Sequence, residues 1–324
     1  MTYKVLLPQQ IMKEGRDYLL SKGYEIVDGH GISEQDIIKD IHDCDAIIVR
    51  TPQITEKIFD AAKKLKIVAR HGAGYDGVDL ESARKHNVLV VNAPGANSVS
   101  VAELVIFYML YCSRNFKLVQ KTYIDDYFYS KLKTKKNELY GKTLGLIGIG
   151  NIGSLVAEKA SLGLGMNVIA FDPFAKKENL PDYIKLVDNR EAIFTDSDYV
   201  SLHVPATKDT VNSVSTREFE LMKETSFLIN TARGTIVDED ALYKALINKQ
   251  IAGAALDVMK EEPVNKDNPL LKLDNVLTAP HIGAATEEAS GRSSLFCAVG
   301  IDDYLNGRVP KYIVPELRDM IKNN

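Results

Sequence analysis

Three side chains of complementary chemistry follow three apolar runs in the last third of the chain. Arg233 follows "FLIN" within "TARGTIVDED", Glu262 follows "AGAALDV" within "MKEEPV", and His281 ends "NVLTAP". A guanidinium grips a carboxylate through two parallel hydrogen bonds, and an imidazole exchanges a proton near neutral pH. A carboxylate beside that ring stabilises its charged form and fixes its orientation. Singly, the three read as a surface ion pair, a solvated acid before Pro263 and a packed ring. Placed together on one sheet edge, they read as a proton-transfer site for a substrate that carries both a carboxylate and a carbonyl. Asp257 and Glu261 fall on the same stretch.

A second motif supplies what a carbonyl reduction still needs. "LGLIGIGNIGSLVAEKASLGLGMNVIAFDPF" places Gly148, Gly150 and Gly153 in GxGxxG spacing, between an apolar strand and an amphipathic helix. The first glycine allows the tight turn, the second lets backbone approach a pyrophosphate, and the third lets helix pack on strand. Asp172 closes the next strand, 24 residues after Gly148. A carboxylate there accepts the adenosine ribose hydroxyls and repels a 2′-phosphate, which predicts NAD rather than NADP. The competing role for Asp172 is a turn cap before Pro173.

These motifs need a scaffold of parallel strands whose carboxyl ends share one edge. "KVLLP", "AIIVR" (46–50), "KIVAR" (66–70) and "VLVVN" (88–92) read as buried strands, with helices in "QIMKEGRDYLLSKG", "ISEQDIIKDIHD" and "LESARKHN". A long helix is expected from Ser98 or Ser100 to about Gln120, with Glu103 in its first turn. The polar, aromatic stretch 121–140 reads as an excursion. From Lys142 a second series follows, with strands in "TLGLIGI", "NVIAFD", "YVSLHV", "SFLINT", "AGAALDV" and "VLTAP", and a last helix from about Glu287. The expected fold class is α/β, in two domains that are each a parallel sheet flanked by helices.

The whole-chain figures bound the partners. With 324 residues, 45% of them hydrophobic, the chain can fill two cores, and a formal charge of −4 does not suit nucleic acid. Lys131, Lys133, Lys135 and Lys136 read as a solvated face. Cys44, Cys112 and Cys297 have no metal-ligand spacing, so no metal and a reducing, cytoplasmic location are expected. No signal peptide and no membrane span are expected; "VAELVIFYMLYC" (101–112) is too short to cross a bilayer.

The chain resembles the D-isomer-specific 2-hydroxyacid dehydrogenases, the family of phosphoglycerate dehydrogenase and the glyoxylate/hydroxypyruvate reductases. "RHGAGYDGVDLESARKHNVLVVNAPGANSVSVAEL" (70–104), "GLIGIGNIG", "SLHVPATKDT" (201–210), "INTARGTIVDEDAL" and "APHIGAAT" carry that resemblance, in family order and spacing. It implies that His281 is the acid/base, Glu262 its partner, and Arg233 the group that binds the substrate carboxylate and carbonyl. It also implies a cofactor site of Gly148, Gly150, Asn151, Ile152, Gly153, Asp172, His203, Pro205, Thr231, Ala232, Arg233, Asp257, His281 and Gly283. Ala73 and Gly74 would hold the substrate carboxylate through their backbone, and Arg50 and His71 are the candidate cations should the substrate carry a phosphate. A Rossmann NAD-binding domain (100–286) would be inserted into a flavodoxin-like substrate domain (1–99 plus 287–324), with hinges near Asn97–Ser100 and Gly283–Glu287. A homodimer would pair through the long helix and the excursion.

One departure concerns the substrate pocket. The family often carries a tryptophan in the stretch corresponding to 121–140, whereas this chain has none anywhere; Tyr123, Tyr127, Phe128 and Tyr129 are the candidates for that space. No room for an added regulatory domain is expected after the last helix. Two other functions share the motifs. A formate dehydrogenase-like enzyme usually pairs glutamine with its histidine, where this chain has Glu262, and an NAD(H)-sensing corepressor-like protein would keep the glycine loop.

Overall fold

A computed structural model describes residues 2–321 and divides the chain into two compact units, Met1–Asn97 with Ala284–Asn324 and Ser98–Gly283. In the first unit, strands β1 (Lys4–Leu7), β2 (Glu25–Asp28), β3 (Ala46–Val49), β4 (Ile67–Arg70) and β5 (Leu89–Val91) alternate with helices α1 (Lys13–Ser21), α2 (Glu34–Ile41), α3 (Glu56–Ala61) and α4 (Leu80–Lys85). All are parallel in the order β2-β1-β3-β4-β5, the flavodoxin-like order, and the reversal at β1/β3 marks the edge where loops can build a site. β3 is buried along its whole length because helices cover both faces, so it reads as an unbroken apolar run. Ser33 and Asp79 cap α2 and α4 by accepting the N–H of Asp36 and Ser82.

The second unit begins with α5 (Ser98–Ser113) and α6 (Phe116–Thr122). Its strands are β6 (Thr143–Ile147), β7 (Asn167–Phe171), β8 (Ile184–Leu186), β9 (Tyr199–Leu202), β10 (Phe227–Asn230), β11 (Gly253–Leu256) and β12 (Val276–Thr278). Helices α7 (Asn151–Glu158), α8 (Glu191–Asp196), α9 (Thr216–Leu221) and α10 (Glu239–Ile247) lie between them, and α11 (Glu287–Leu305) returns to the first unit. The order β12-β11-β10-β9-β6-β7-β8 is the Rossmann pattern with one further strand beyond the sixth. The strand order reverses between β6 and β9, and the glycine loop leaves β6 at that point. Each wholly buried aliphatic here, such as Leu146, Leu202, Leu228 and Ile229, contributes about 1.5–3 kcal/mol through burial.

Three expectations need correction. The long helix does not reach Gln120: it breaks at Asn115, which adopts a left-handed φ of 49° before α6 restarts. Because α5 begins at Ser98, its first turn holds no acid and Glu103 lies beyond it. The sheets also hold two strands that the apolar runs did not mark. β2 ("EIVD") and β8 ("IKL") are edge strands with half-exposed patterns, and α3 between β3 and β4 was likewise unmarked.

Candidate active site

Parallel strands put the loops that leave their carboxyl ends on one edge of the second unit, which explains how residues far apart in sequence converge. His281 lies three residues after the end of β12, and Glu262 lies in the loop after β11. Glu262 Oε2 stands 2.9 Å from His281 Nδ1, and both side chains are about half exposed. The other carboxylate oxygen, Oε1, accepts the backbone N–H of Met259 at 3.2 Å, which anchors the acid to its own loop. His281 itself adopts a left-handed φ of 54°. A non-glycine residue holds that conformation only where its surroundings fix it.

Asp257 is the residue that fixes it. Its backbone carbonyl accepts the His281 N–H at 2.7 Å. Its carboxylate takes the next two amides, Oδ1 from Ile282 at 2.9 Å and Oδ2 from Gly283 at 2.8 Å. Asp257 is 1% exposed, so this carboxylate is spent inside the protein on the loop that carries the histidine.

Arg233 follows β10 in a loop stapled by Asn230. The Asn230 amide donates to the Arg233 carbonyl at 3.0 Å, and its carbonyl oxygen accepts from Ala232 N at 3.0 Å. The guanidinium is half-buried and donates to the Ala232 carbonyl at 2.7 Å. Gly234 has no space for a side chain: a Cβ there would stand 2.0 Å from the Met259 backbone, so the Arg233 and Glu262 loops are packed backbone to backbone. Thr231 Oγ1 is buried without a partner.

The glycine loop fits a dinucleotide. Gly148 has φ +94°, and a Cβ on it would come within 2.7 Å of the His203 carbonyl oxygen. A Cβ on Gly153 would meet the Gly148 carbonyl oxygen at 2.3 Å, so α7 packs directly on the turn. Gly150, by contrast, faces open space, with nothing within 4 Å of an added Cβ. The first amides of α7, from Asn151, Ile152 and Gly153, therefore have room to meet a phosphate at the positive helix end. Asp172 is both acid and cap: Oδ2 accepts Ile149 N at 3.0 Å and Oδ1 accepts Phe174 N at 2.9 Å. A carboxylate keeps lone pairs for two ribose hydroxyls beyond these bonds. His203 Nε2 lies 2.9 Å from Ser201 Oγ, and burial pushes its pKa down to about 4, so the ring is neutral at physiological pH. Pro205 follows on the exposed side of the same loop.

In the first unit, His71 N donates to Val49 O at 2.8 Å and Asn92, unmarked in the sequence, donates to the Ala73 carbonyl at 2.7 Å, fixing the "HGAG" loop with Ala73 and Gly74. Arg50 donates to the Gln10 carbonyl at 3.0 Å rather than to an acid. His71 is not a cation here. Burial first, and the Arg50 charge second, push its pKa down to about 4, and its Nε2 lies against Ser294 Oγ at 2.9 Å and Ser290 O at 3.1 Å. Among the described residues no group of acids, histidines and cysteines could hold a metal ion, and no helix is long and apolar enough to cross a membrane.

Known proteins resemble this chain in sequence and in fold. The sequence model for the D-isomer specific 2-hydroxyacid dehydrogenase, NAD binding domain, matches residues 106–283. The D-3-phosphoglycerate dehydrogenase of Archaeoglobus fulgidus is 40% identical over 306 residues, covering 94% of this chain and 58% of that protein. The hydroxypyruvate reductase of Thermotoga maritima is 38% identical over 294 residues, covering 90% of this chain and 94% of that one. The NAD+-bound 3-phosphoglycerate dehydrogenase of Entamoeba histolytica superposes with a TM-score of 0.81 at 29% identity, over 97% of this chain and 99% of that one. The chain belongs to the D-isomer specific 2-hydroxyacid dehydrogenase family, and NAD is the cofactor of the domain that residues 106–283 form. It spans 58% and 59% of the length of the D-3-phosphoglycerate dehydrogenases of Archaeoglobus fulgidus and Methanocaldococcus jannaschii.

Proposed function

We propose that this chain is an NAD-dependent oxidoreductase that reversibly reduces a small 2-keto acid to the D-2-hydroxy acid. The observation that carries the reading is the 2.9 Å contact of His281 Nδ1 with Glu262 Oε2, on the same sheet edge as the glycine loop. With Nδ1 engaged, Nε2 is the nitrogen that exchanges a proton with the substrate oxygen. In reduction His281 gives that proton to the developing alkoxide; in oxidation the neutral ring takes it back. Glu262 holds the ring in place and offsets its positive charge. Arg233 grips the substrate carboxylate and polarises the carbonyl. NAD, when bound, supplies or accepts the hydride.

In this reading Ser98–Gly283 is the cofactor unit. Gly148, Gly150, Asn151, Ile152 and Gly153 receive the pyrophosphate and Asp172 the ribose. His203, Pro205, Thr231, Ala232, Arg233, His281 and Gly283 line the path toward the nicotinamide, and Asp257 holds the backbone of the last two. The unit Met1–Asn97 with Ala284–Asn324 is the substrate unit, in which Arg50 and the backbone of Ala73 and Gly74 bind the acid. The chain is a cytoplasmic homodimer, a reading supported by its three free thiols and by apolar side chains left in water at Phe107, Phe116, Ile124 and Phe128.

The test is NADH oxidation, followed by nicotinamide absorbance, against glyoxylate, hydroxypyruvate, pyruvate, 2-ketoisocaproate and 3-phosphohydroxypyruvate, with formate oxidation as a further arm. Turnover of one or more keto acids is expected. Tight NADH binding with no turnover of any would instead leave an NAD(H)-sensing protein.

A further inference from the structure

The contacts around Asp257 do not end at the His281 loop. Tyr108, in the middle of α5, is 2% exposed, and its hydroxyl donates to Asp257 Oδ1 at 3.3 Å. Oδ1 is the oxygen that also takes the Ile282 amide, so one carboxylate oxygen joins the α5 phenol to the loop. Behind the loop, a Cβ on Gly283 would meet Asp257 Oδ2 at 2.9 Å and Val101 Cγ2 at 3.3 Å, so α5 backs this loop closely at two points. Burial foremost, with the Asp257 charge adding to it, pushes the phenol pKa up. It remains a donor at any pH the protein survives.

A tyrosine hydroxyl placed in a core costs free energy unless it meets a partner. In the same cluster of apolar side chains, Ala102, Val105 and Met109 on α5 bring no polar atom. The one that does is aimed at the carboxylate that sets the backbone of His281.

We infer that Tyr108 is a positioning residue for the proton transfer, acting through Asp257 on the left-handed backbone of His281; this rests on the function proposed above. Without the hydroxyl, Asp257 keeps its two amide bonds but loses the contact that orients it from behind. The imidazole then samples orientations in which Nε2 no longer faces the substrate oxygen. The glycine loop, Asp172 and Arg233, which carry most of the binding of cofactor and carboxylate, are left intact.

The experiment compares Tyr108→Phe with wild type and with Tyr199→Phe, a 3% exposed tyrosine of the same core at the opposite end of the sheet. Losing a hydrogen bond to a charged group should lower kcat about tenfold in Tyr108→Phe. KM, NADH affinity and melting temperature should stay near wild type, and Tyr199→Phe should keep full kcat. In a His281→Ala background, Tyr108→Phe should cost nothing more, because the two act on one step. Hydrogen exchange at the Ile282 and Gly283 amides should quicken in Tyr108→Phe. An unchanged kcat overturns the inference, as does a loss that persists at full size without His281. Should wild type turn over none of the keto acids, the functional reading fails by itself. The exchange rates then decide the positioning: faster amides support it and unaltered amides overturn it.

Discussion

Asp172 Oδ2 accepts the backbone N–H of Ile149 at 3.0 Å, so the acid at the end of β7 is tied to the loop that leaves β6. One carboxylate thereby shapes the glycine loop and, in the proposed function, also binds the ribose. Replacing it disturbs both. Asp172→Ala should weaken NADH binding by about 10–100-fold, the worth of one or two hydrogen bonds to a charged acceptor. With an arginine introduced beside it, the preference for NADPH over NADH should rise, because the repulsive charge has gone. Titration of each variant with both dinucleotides checks this, and wild type that already binds NADPH as tightly as NADH would remove Asp172 from cofactor selection.

Arg233→Lys should not behave as a conservative change. Lysine keeps the charge and loses the planar fork, so kcat/KM for the keto acid should fall by roughly two orders of magnitude. NADH affinity should hold. Fluorescence titration alongside steady-state kinetics separates the two, and a parallel loss of NADH affinity would place Arg233 at the cofactor instead.

His281→Ala should lower turnover by about 10²–10⁴-fold, the usual contribution of general acid–base catalysis. Glu262→Gln nearly keeps the shape of the 2.9 Å contact but removes its charge, so its loss should be smaller and should fall on kcat. Single-turnover rates with saturating NADH measure both. A His281→Ala enzyme as fast as wild type would make that histidine a packed ring.

Acid should destabilise both units through two half-buried imidazoles. His71 and His203 each have pKa values pushed down to about 4 by burial. An unfolded chain takes up these protons near the ordinary value of about 6.5, whereas the folded rings do so only near 4. Stability is therefore full above about pH 6.5 and falls as pH drops toward 4, by about 3 kcal/mol for each ring. His71→Asn should flatten the acid limb for the first unit and His203→Asn for the second. Hydrogen exchange by unit at pH 7 and pH 5 reads each limb separately, and parallel limbs in wild type and variants would disprove the assignment.

The class of fold, the cofactor motif and the candidate chemistry are all legible in the order of the residues. Strands buried on both faces must be apolar throughout, so β1, β3, β4 and β6 stand out as runs. A phosphate-binding turn needs glycine where a Cβ would strike backbone, as at Gly148 and Gly153. A parallel sheet sends every carboxyl strand end to one edge, so the positions of Arg233, Glu262 and His281 after three strands already group them. Edge strands β2 and β8 face water on part of their surface and carry no such run. What depends on partners distant in the chain emerges only once the chain is folded. The left-handed backbone of His281 answers to Asp257, and Asp257 to Tyr108, 149 residues away. His71 reads as a cation in sequence but is neutral because it is half-buried and lies beside Ser290 and Ser294 of α11, more than two hundred residues later. Local pattern reports what a residue can do; burial and long-range hydrogen bonds fix which of those things it does.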